Sequence, residues 1–186
     1  MAISDEQILQ AVADVIAERG YAGATTKQIA AKAGINEVTL FRRFGNKKNL
    51  MRSMVQHEAV RLGGMNLSYS GDLEADLTSI VHVYQQLMLR RGEVLLMLLS
   101  ELRKQPDLVE VVETPQAQAR RIGMILARYQ QEGKLVQEPP LVALSSLIGP
   151  IFMSAMLGSL EATLMQNLVK PQQLVKQFLH GRATKG

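Results

Sequence analysis

Residues 24–50 read ATTKQIAAKAGINEVTLFRRFGNKKNL, and the helix ends written into this stretch decide the fold. Thr25-Thr26-Lys27-Gln28 has the form of a capping box, in which the Thr25 hydroxyl accepts from the Gln28 amide and the Gln28 side chain reaches back. Ile29, Ala30 and Ala33 supply an apolar stripe and Gly34 a terminator, so the helix is very short. Ile35 and Asn36 then provide a staple and a cap for another short helix, Glu37 to Phe44, closed by Gly45. Two short helices joined by a glycine-containing turn make a helix-turn-helix, whose second helix enters the major groove of DNA.

At about 100° per residue, Leu40 and Phe44 fall on the buried side of that second helix, and Val38, Thr39 and Arg42 fall opposite. Arg42 can pair bidentately with guanine, while Thr39 and Val38 offer a hydroxyl and methyl groups to base edges. Phe41 and Arg43 flank the strip, the first suited to sugars or a thymine methyl and the second to a phosphate or adjacent base. Asn36, at the start of the reading helix, joins this DNA-facing set. Lys47 and Lys48 open the next helix behind an Asn46 cap, where outward amides also accept phosphate oxygens, and Thr26 and Lys27 are placed likewise on the preceding helix.

Upstream, Ser4-Asp5-Glu6-Gln7 is a second capping box with Ile3 and Ile8 as its staple. Ile8, Leu9, Val12, Val15 and Ile16 follow at helical spacing, and Gly20 is placed to stop the helix. Between residues 19 and 52 eight cations meet a single carboxylate, Glu37, a local excess of +7 in a chain of net charge +4. Such a concentration is the electrostatic footprint of a nucleic-acid-binding module. The 186 residues include no cysteine, which excludes disulfides, thiolate metal sites and cysteine nucleophiles. Acidic residues at the N-terminus, with no uninterrupted apolar run behind them, predict a cytoplasmic protein rather than a secreted one.

The stretch from Ala24 to Leu50 closely resembles the DNA-binding signature of the tetracycline-repressor (TetR) family: Thr before Ile-Ala, Ala-Gly in the turn, Thr-Leu-aromatic in the reading helix, then Phe and a Lys three residues on. The resemblance covers about a quarter of the chain. It departs at Phe41, where the family commonly has a tyrosine, at Arg43, where His or Tyr is frequent, and at Lys48, where Glu is usual. Extra cations in place of a hydroxyl predict a stronger salt dependence of binding. The resemblance implies a ligand-responsive transcriptional regulator, most simply a repressor, with DNA-binding residues 1–46 and a helical ligand-sensing and dimerisation domain at residues 47–186. It implies no enzymatic activity and no cofactor.

Beyond Leu50, apolar-periodic segments alternate with Gly, Pro and polar breaks, predicting helices near 47–63, 73–90, 92–104, 107–131, 140–165 and 171–181 and an all-α chain. Leu141 to Leu160 contains no charged residue, which is long enough to span a bilayer. Four serines and Pro150 dilute it, however, and no aromatic belt or basic flank marks an orientation. In a soluble protein so apolar a helix must be buried on nearly all sides. With Leu174, Val175, Phe178 and Leu179 of the last helix it suits an intersubunit bundle, where the resemblance also puts the dimer interface.

Tyr84, Met88, Met97, Met124, Tyr129, Phe152 and Met153 are the candidate contacts for a small apolar effector, since methionine adapts to ligands of varied shape, although methionines at helical spacing usually fill core gaps. The three histidines show no metal-ligand spacing, and no phosphate loop or nucleophile elbow is present. Two other readings compete with a repressor: a non-specific architectural DNA-binding protein, and a membrane-associated helical scaffold built on residues 141–160.

Overall fold

Caps set where the helices begin. In the computed structural model, which describes residues 3–63, 67–102, 104, 106–158 and 169–182, Ser4 Oγ accepts the Gln7 N–H at 3.2 Å and Gln7 Oε1 accepts the Ser4 N–H at 3.0 Å, opening α1 (Asp5–Gly23). The same reciprocal pair between Thr25 and Gln28 opens α2 (Thr26–Lys32). Asn36 Oδ1 accepts the Val38 N–H at 2.9 Å and opens α3 (Glu37–Phe44), which Gly45 closes at φ +79°. Asn46 Oδ1 accepts the Asn49 N–H at 2.9 Å in the first turn of α4 (Lys47–Gly63). The chain continues through α5 (Leu73–Leu102), a 3-10 turn (Pro106–Val112), α6 (Glu113–Gln131), α7 (Pro140–Gly158) and α8 (Pro171–Arg182), with no strand among the described residues.

Three expectations change. Gly20 adopts φ +69° but kinks α1 instead of ending it, and the helix resumes to Gly23. Residues 73–90 and 92–104 are not two helices: α5 runs unbroken through Gly92, where an added Cβ would meet Met88 Sδ at 3.7 Å and Ala155 Cβ at 3.8 Å, ordinary contact distances. A glycine inside a helix costs only about 1 kcal/mol, so Gly92 alone does not end α5. The helix expected from 107 divides into the 3-10 turn and α6, with Pro115 in the first turn of α6, where an N–H has no partner to lose. The last part of the expected 140–165 helix, residues 159–165, lies outside the described residues.

The chain forms two compact units, one of Met1–Val60 with Glu93–Pro115 and one of Arg61–Gly92 with Gln116–Gly186. In the first, Ile8, Val12 and Ile16 of α1 form one core with Ile29, Leu40, Leu50 and Met51, completed by Leu98 and Leu108 from the later segment. The second buries Leu77, Ile80, Val81 and Met88 of α5, Leu126 and Tyr129 of α6, and Leu147, Ile151 and Val175. The α6–α7 loop is held by Gln130, whose Nε2 donates to the carbonyls of Val136 (3.1 Å) and Glu138 (2.9 Å).

Among the described residues one helix, α7, is long and apolar enough to cross a membrane, with a mean hydropathy of 1.8 over Pro140–Leu157. Its burial is one-sided. Ala143, Leu144, Leu147, Ile151 and Ala155 are buried, whereas Leu141, Val142, Met153, Met156 and Leu157 are exposed; by helical rotation the exposed set occupies about half the circumference. The apolar stripe of α8, Leu174, Val175 and Phe178, is covered within the chain, and its exposed side carries Gln172, Gln173, Lys176, Gln177 and His180.

Candidate nucleic-acid interface

On α3, Leu40 is 1% exposed and Phe44 packs against the core. Anchoring these two turns the opposite side outward. Val38 is 73% exposed and Phe41 46%, Arg42 is exposed, and Thr39 is half-buried. A bare valine and a half-bare phenylalanine beside an exposed arginine are a surface with apolar contact area and a planar hydrogen-bond fork, the two features that base edges reward.

The residues around this strip are engaged within the protein to different degrees. Lys27 is exposed. Thr26 Oγ1 donates to Glu37 Oε1 at 2.6 Å, tying the start of α2 to the start of α3, and Asn36 serves as the α3 cap. Arg43 forms an ion pair with Asp5 and donates to the Ile3 carbonyl at 3.0 Å. Lys47 Nζ donates to the carbonyls of Tyr21 (2.5 Å) and Ala24 (2.9 Å) and lies 4.4 Å from the centre of the Tyr21 ring; burial pushes its pKa below the usual lysine value. Lys48 stands 3.4 Å from Glu110, and Arg52 stands 3.9 Å from Glu110 and 3.4 Å from Glu113.

The sequence reading did not foresee Asp5, Glu37, Glu110 or Glu113 as partners. One signal for the Lys47 contact was available: α1 has no basic residue in its last turn, so its terminal carbonyls need a donor from elsewhere.

The candidate effector residues are distributed more widely. Tyr84 and Phe152 meet, their ring centres 6.3 Å apart, and Met88 is buried beside Gly92. Tyr129 is fully buried; its hydroxyl donates to Asp76 Oδ2 at 2.5 Å and its ring lies 4.8 Å from that of Tyr69. Asp76, itself buried, also accepts from Ser70 Oγ (2.6 Å) and Ser70 N (2.8 Å). Burial first, and the Asp76 carboxylate second, hold the Tyr129 phenol well above its ordinary pKa. Met124 and Met153 are 66% and 52% exposed, and Met124 lines an open cavity of about 290 Å³ with Tyr69, Arg121 and Ile125. Met97 belongs to the other unit, packed against its core.

Residues 8–54 match the family described as bacterial regulatory proteins, tetR family. An uncharacterized HTH-type transcriptional regulator, YvkB of Bacillus subtilis, is 28% identical over 131 residues, covering 70% of this chain and 69% of that protein. The fold matches the transcriptional regulator FadR from Bacillus subtilis in complex with stearoyl-CoA, with a TM-score of 0.74 and 20% identity over 95% of this chain and 96% of that one. It also matches SmeT in its complex with triclosan, with a TM-score of 0.71 and 21% identity over 98% and 92% of the two chains.

Proposed function

We propose that this chain, whose residues 8–54 match the tetR family of bacterial regulatory proteins, is a cytoplasmic repressor of that family that grips a palindromic operator as a homodimer and lets go when a small apolar effector binds. Residues 1–46 form its reading domain in this scheme and residues 47–186 its sensing and dimerisation domain. The observation that carries the proposal is the outward strip Val38, Thr39, Phe41 and Arg42 on a helix anchored from behind by Leu40 and Phe44. A two-fold dimer would set two such helices about 34–36 Å apart, one turn of the duplex.

The exposed apolar half of α7 supports dimerisation, since a second copy gives it a dry partner. The α8 stripe is buried within its own chain, which supports α7 as the apolar part of such an interface. Stearoyl-CoA and triclosan, bound to two proteins of this fold, support an effector with substantial apolar surface. Release then follows as a population shift: an effector that binds better to a dimer with wrongly spaced reading helices draws molecules away from the DNA-competent form.

Selection of random duplex DNA by the purified protein at near-physiological salt tests this. The wild type is expected to enrich a palindrome, and Arg42→Ala to lose preference at one position of each half-site, at a cost of about 1–3 kcal/mol per site. No enriched sequence would replace the repressor by a non-specific DNA-binding protein.

A further inference from the structure

Of the cations around the reading helix, the one most deeply engaged within the protein is Lys47. Its Nζ holds two main-chain carbonyls at the end of α1, Tyr21 at 2.5 Å and Ala24 at 2.9 Å, while the Tyr21 ring lies 4.4 Å away. An ammonium has three N–H donors, and two are spent here. The carbonyls need them: the last turn of α1 carries no cation, and the kink at Gly20 disturbs the helix just before its end. Four residues earlier, Arg43 reaches the opposite end of α1, pairing with Asp5 and donating to the Ile3 carbonyl. Gly45 and Asn46, the joint between α3 and α4, thus lie between two straps, one to each end of the same helix.

We propose that Lys47 is a positioning residue for DNA reading, with Arg43 as its counterpart: together they fix the α3–α4 joint against α1, and Lys47 does not serve as a phosphate clamp. The inference rests on α3 being the operator-reading helix. Its consequence is a division of labour among like charges. Lys27 and Arg42, exposed on α2 and α3, meet the DNA, whereas Lys47 holds the angle at which Arg42 arrives. Without that strap the joint loses its fixed point on α1, and base contacts, which tolerate little misalignment, weaken before phosphate contacts do.

The two roles differ in salt dependence. A phosphate clamp releases counterions, so removing it flattens the plot of log affinity against log salt by about 0.9 per protomer, or about 1.8 for a dimer; removing a strap leaves the slope alone. Wild type, Lys47→Met, Lys47→Arg and Lys27→Gln are compared on the selected palindrome and on random duplex across a salt series, well below each variant's melting temperature. For Lys47→Met the expected result is a lower melting temperature and a roughly tenfold loss of preference for palindrome over random duplex, the size of one weakened base contact, at unchanged slope. Lys47→Arg, which keeps donors at the end of a long side chain, restores both. Lys27→Gln flattens the slope.

A flattened slope for Lys47→Met at an unchanged melting temperature would make Lys47 a phosphate contact and overturn the proposal. If the wild type itself shows no preference for a palindrome, the repressor reading fails separately. The melting temperatures and the slope on random duplex still decide whether Lys47 is a strap.

Discussion

The two compact units distribute polar and apolar groups differently. In the unit of residues 1–60 and 93–115, apolar side chains from α1 to α4 fill one core, and charged groups at its surface are drawn into pairs such as Arg43 with Asp5, Lys32 with Glu18 at 2.9 Å, and Lys48 with Glu110. Among the described residues the first unit buries one charged residue, Glu58, whereas in the other Asp76, Gln85 and Gln130 are all buried, and Gln85 Nε2 donates to the Val169 carbonyl at 2.8 Å. Apolar side chains are exposed in both, Val38 and Phe41 of α3 among them in the first, but the second gathers five on one helix, Leu141, Val142, Met153, Met156 and Leu157 of α7. A unit that reads DNA needs a rigid body and a charged surface and can complete both by itself. The uncovered side of α7 is the face that the proposed dimer would cover.

The sharpest way to break this contrast is to attack the uncovered half of α7. Val142→Glu with Met153→Glu places two carboxylates on that face, at positions exposed in the single chain, where substitutions usually change folding stability by no more than about 0.5 kcal/mol. Sedimentation is expected to shift from dimer to monomer. Operator affinity should fall roughly 100-fold or more as the two half-sites cease to be bound as one. A double variant that remains dimeric would move the interface off α7. A wild type that sediments with lipid vesicles would hand the face to a membrane instead.

How legible each unit was in the sequence follows the same division. The first declares itself because its signals are local: Thr25 and Gln28 are three residues apart, Asn36 caps an N–H two residues on, and Leu40 and Phe44 lie on one side of a single helix. What escaped were its long-range contacts. Lys47 reaches back 26 residues to Tyr21, and Lys48 forward to Glu110, and nothing in the spacing of either cation names its partner. In the second unit most decisions are of that kind. Gly92 looked like a break and lies inside α5, because the rest of a 30-residue helix outweighs the roughly 1 kcal/mol that one glycine costs. Of the methionines that looked alike in a list of helical positions, Met88 is buried, Met124 and Met153 are exposed, and Met97 packs in the first unit. Helical period alone did not assign which side of each helix the rest of the fold would cover.

The polar interior of the second unit gives an effect of intermediate size. Tyr129→Phe leaves Asp76 buried with one donor fewer, a loss of about 1–3 kcal/mol, or roughly 2–12 °C in melting temperature for a chain of this length. Operator affinity at 20 °C is expected to stay unchanged, because the deleted bond lies wholly within the second unit; a weakened operator complex would show that the network also sets DNA-binding geometry. The pH dependence has a definite sign. The folded phenol, raised chiefly by burial, keeps its proton where the unfolded one loses it, near pH 10. This group's contribution is therefore fully present below that pH and is lost as the solution becomes more alkaline. The alkaline fall in wild-type stability should be shallower in Tyr129→Phe.

The smallest expected effect tests how far the first unit's internal pairing competes with DNA. Lys48 sits in the first turn of α4 and is held 3.4 Å from Glu110, which also stands 3.9 Å from Arg52. Half-exposed pairs of this kind contribute about 0–1 kcal/mol, so Glu110→Gln should leave the melting temperature nearly unmoved. Removing the carboxylate frees Lys48 for a phosphate at a helix start, where main-chain amides already favour an anion. Operator affinity should then rise a few-fold at low salt, and its salt slope should steepen by about 0.9 per protomer. A gain in affinity with that steeper slope would show that Lys48, unlike Lys47, is held in reserve by a pair weak enough for DNA to displace. An unchanged slope would place Lys48 with Arg43 and Lys47 among the cations that shape the reading unit without touching what it reads.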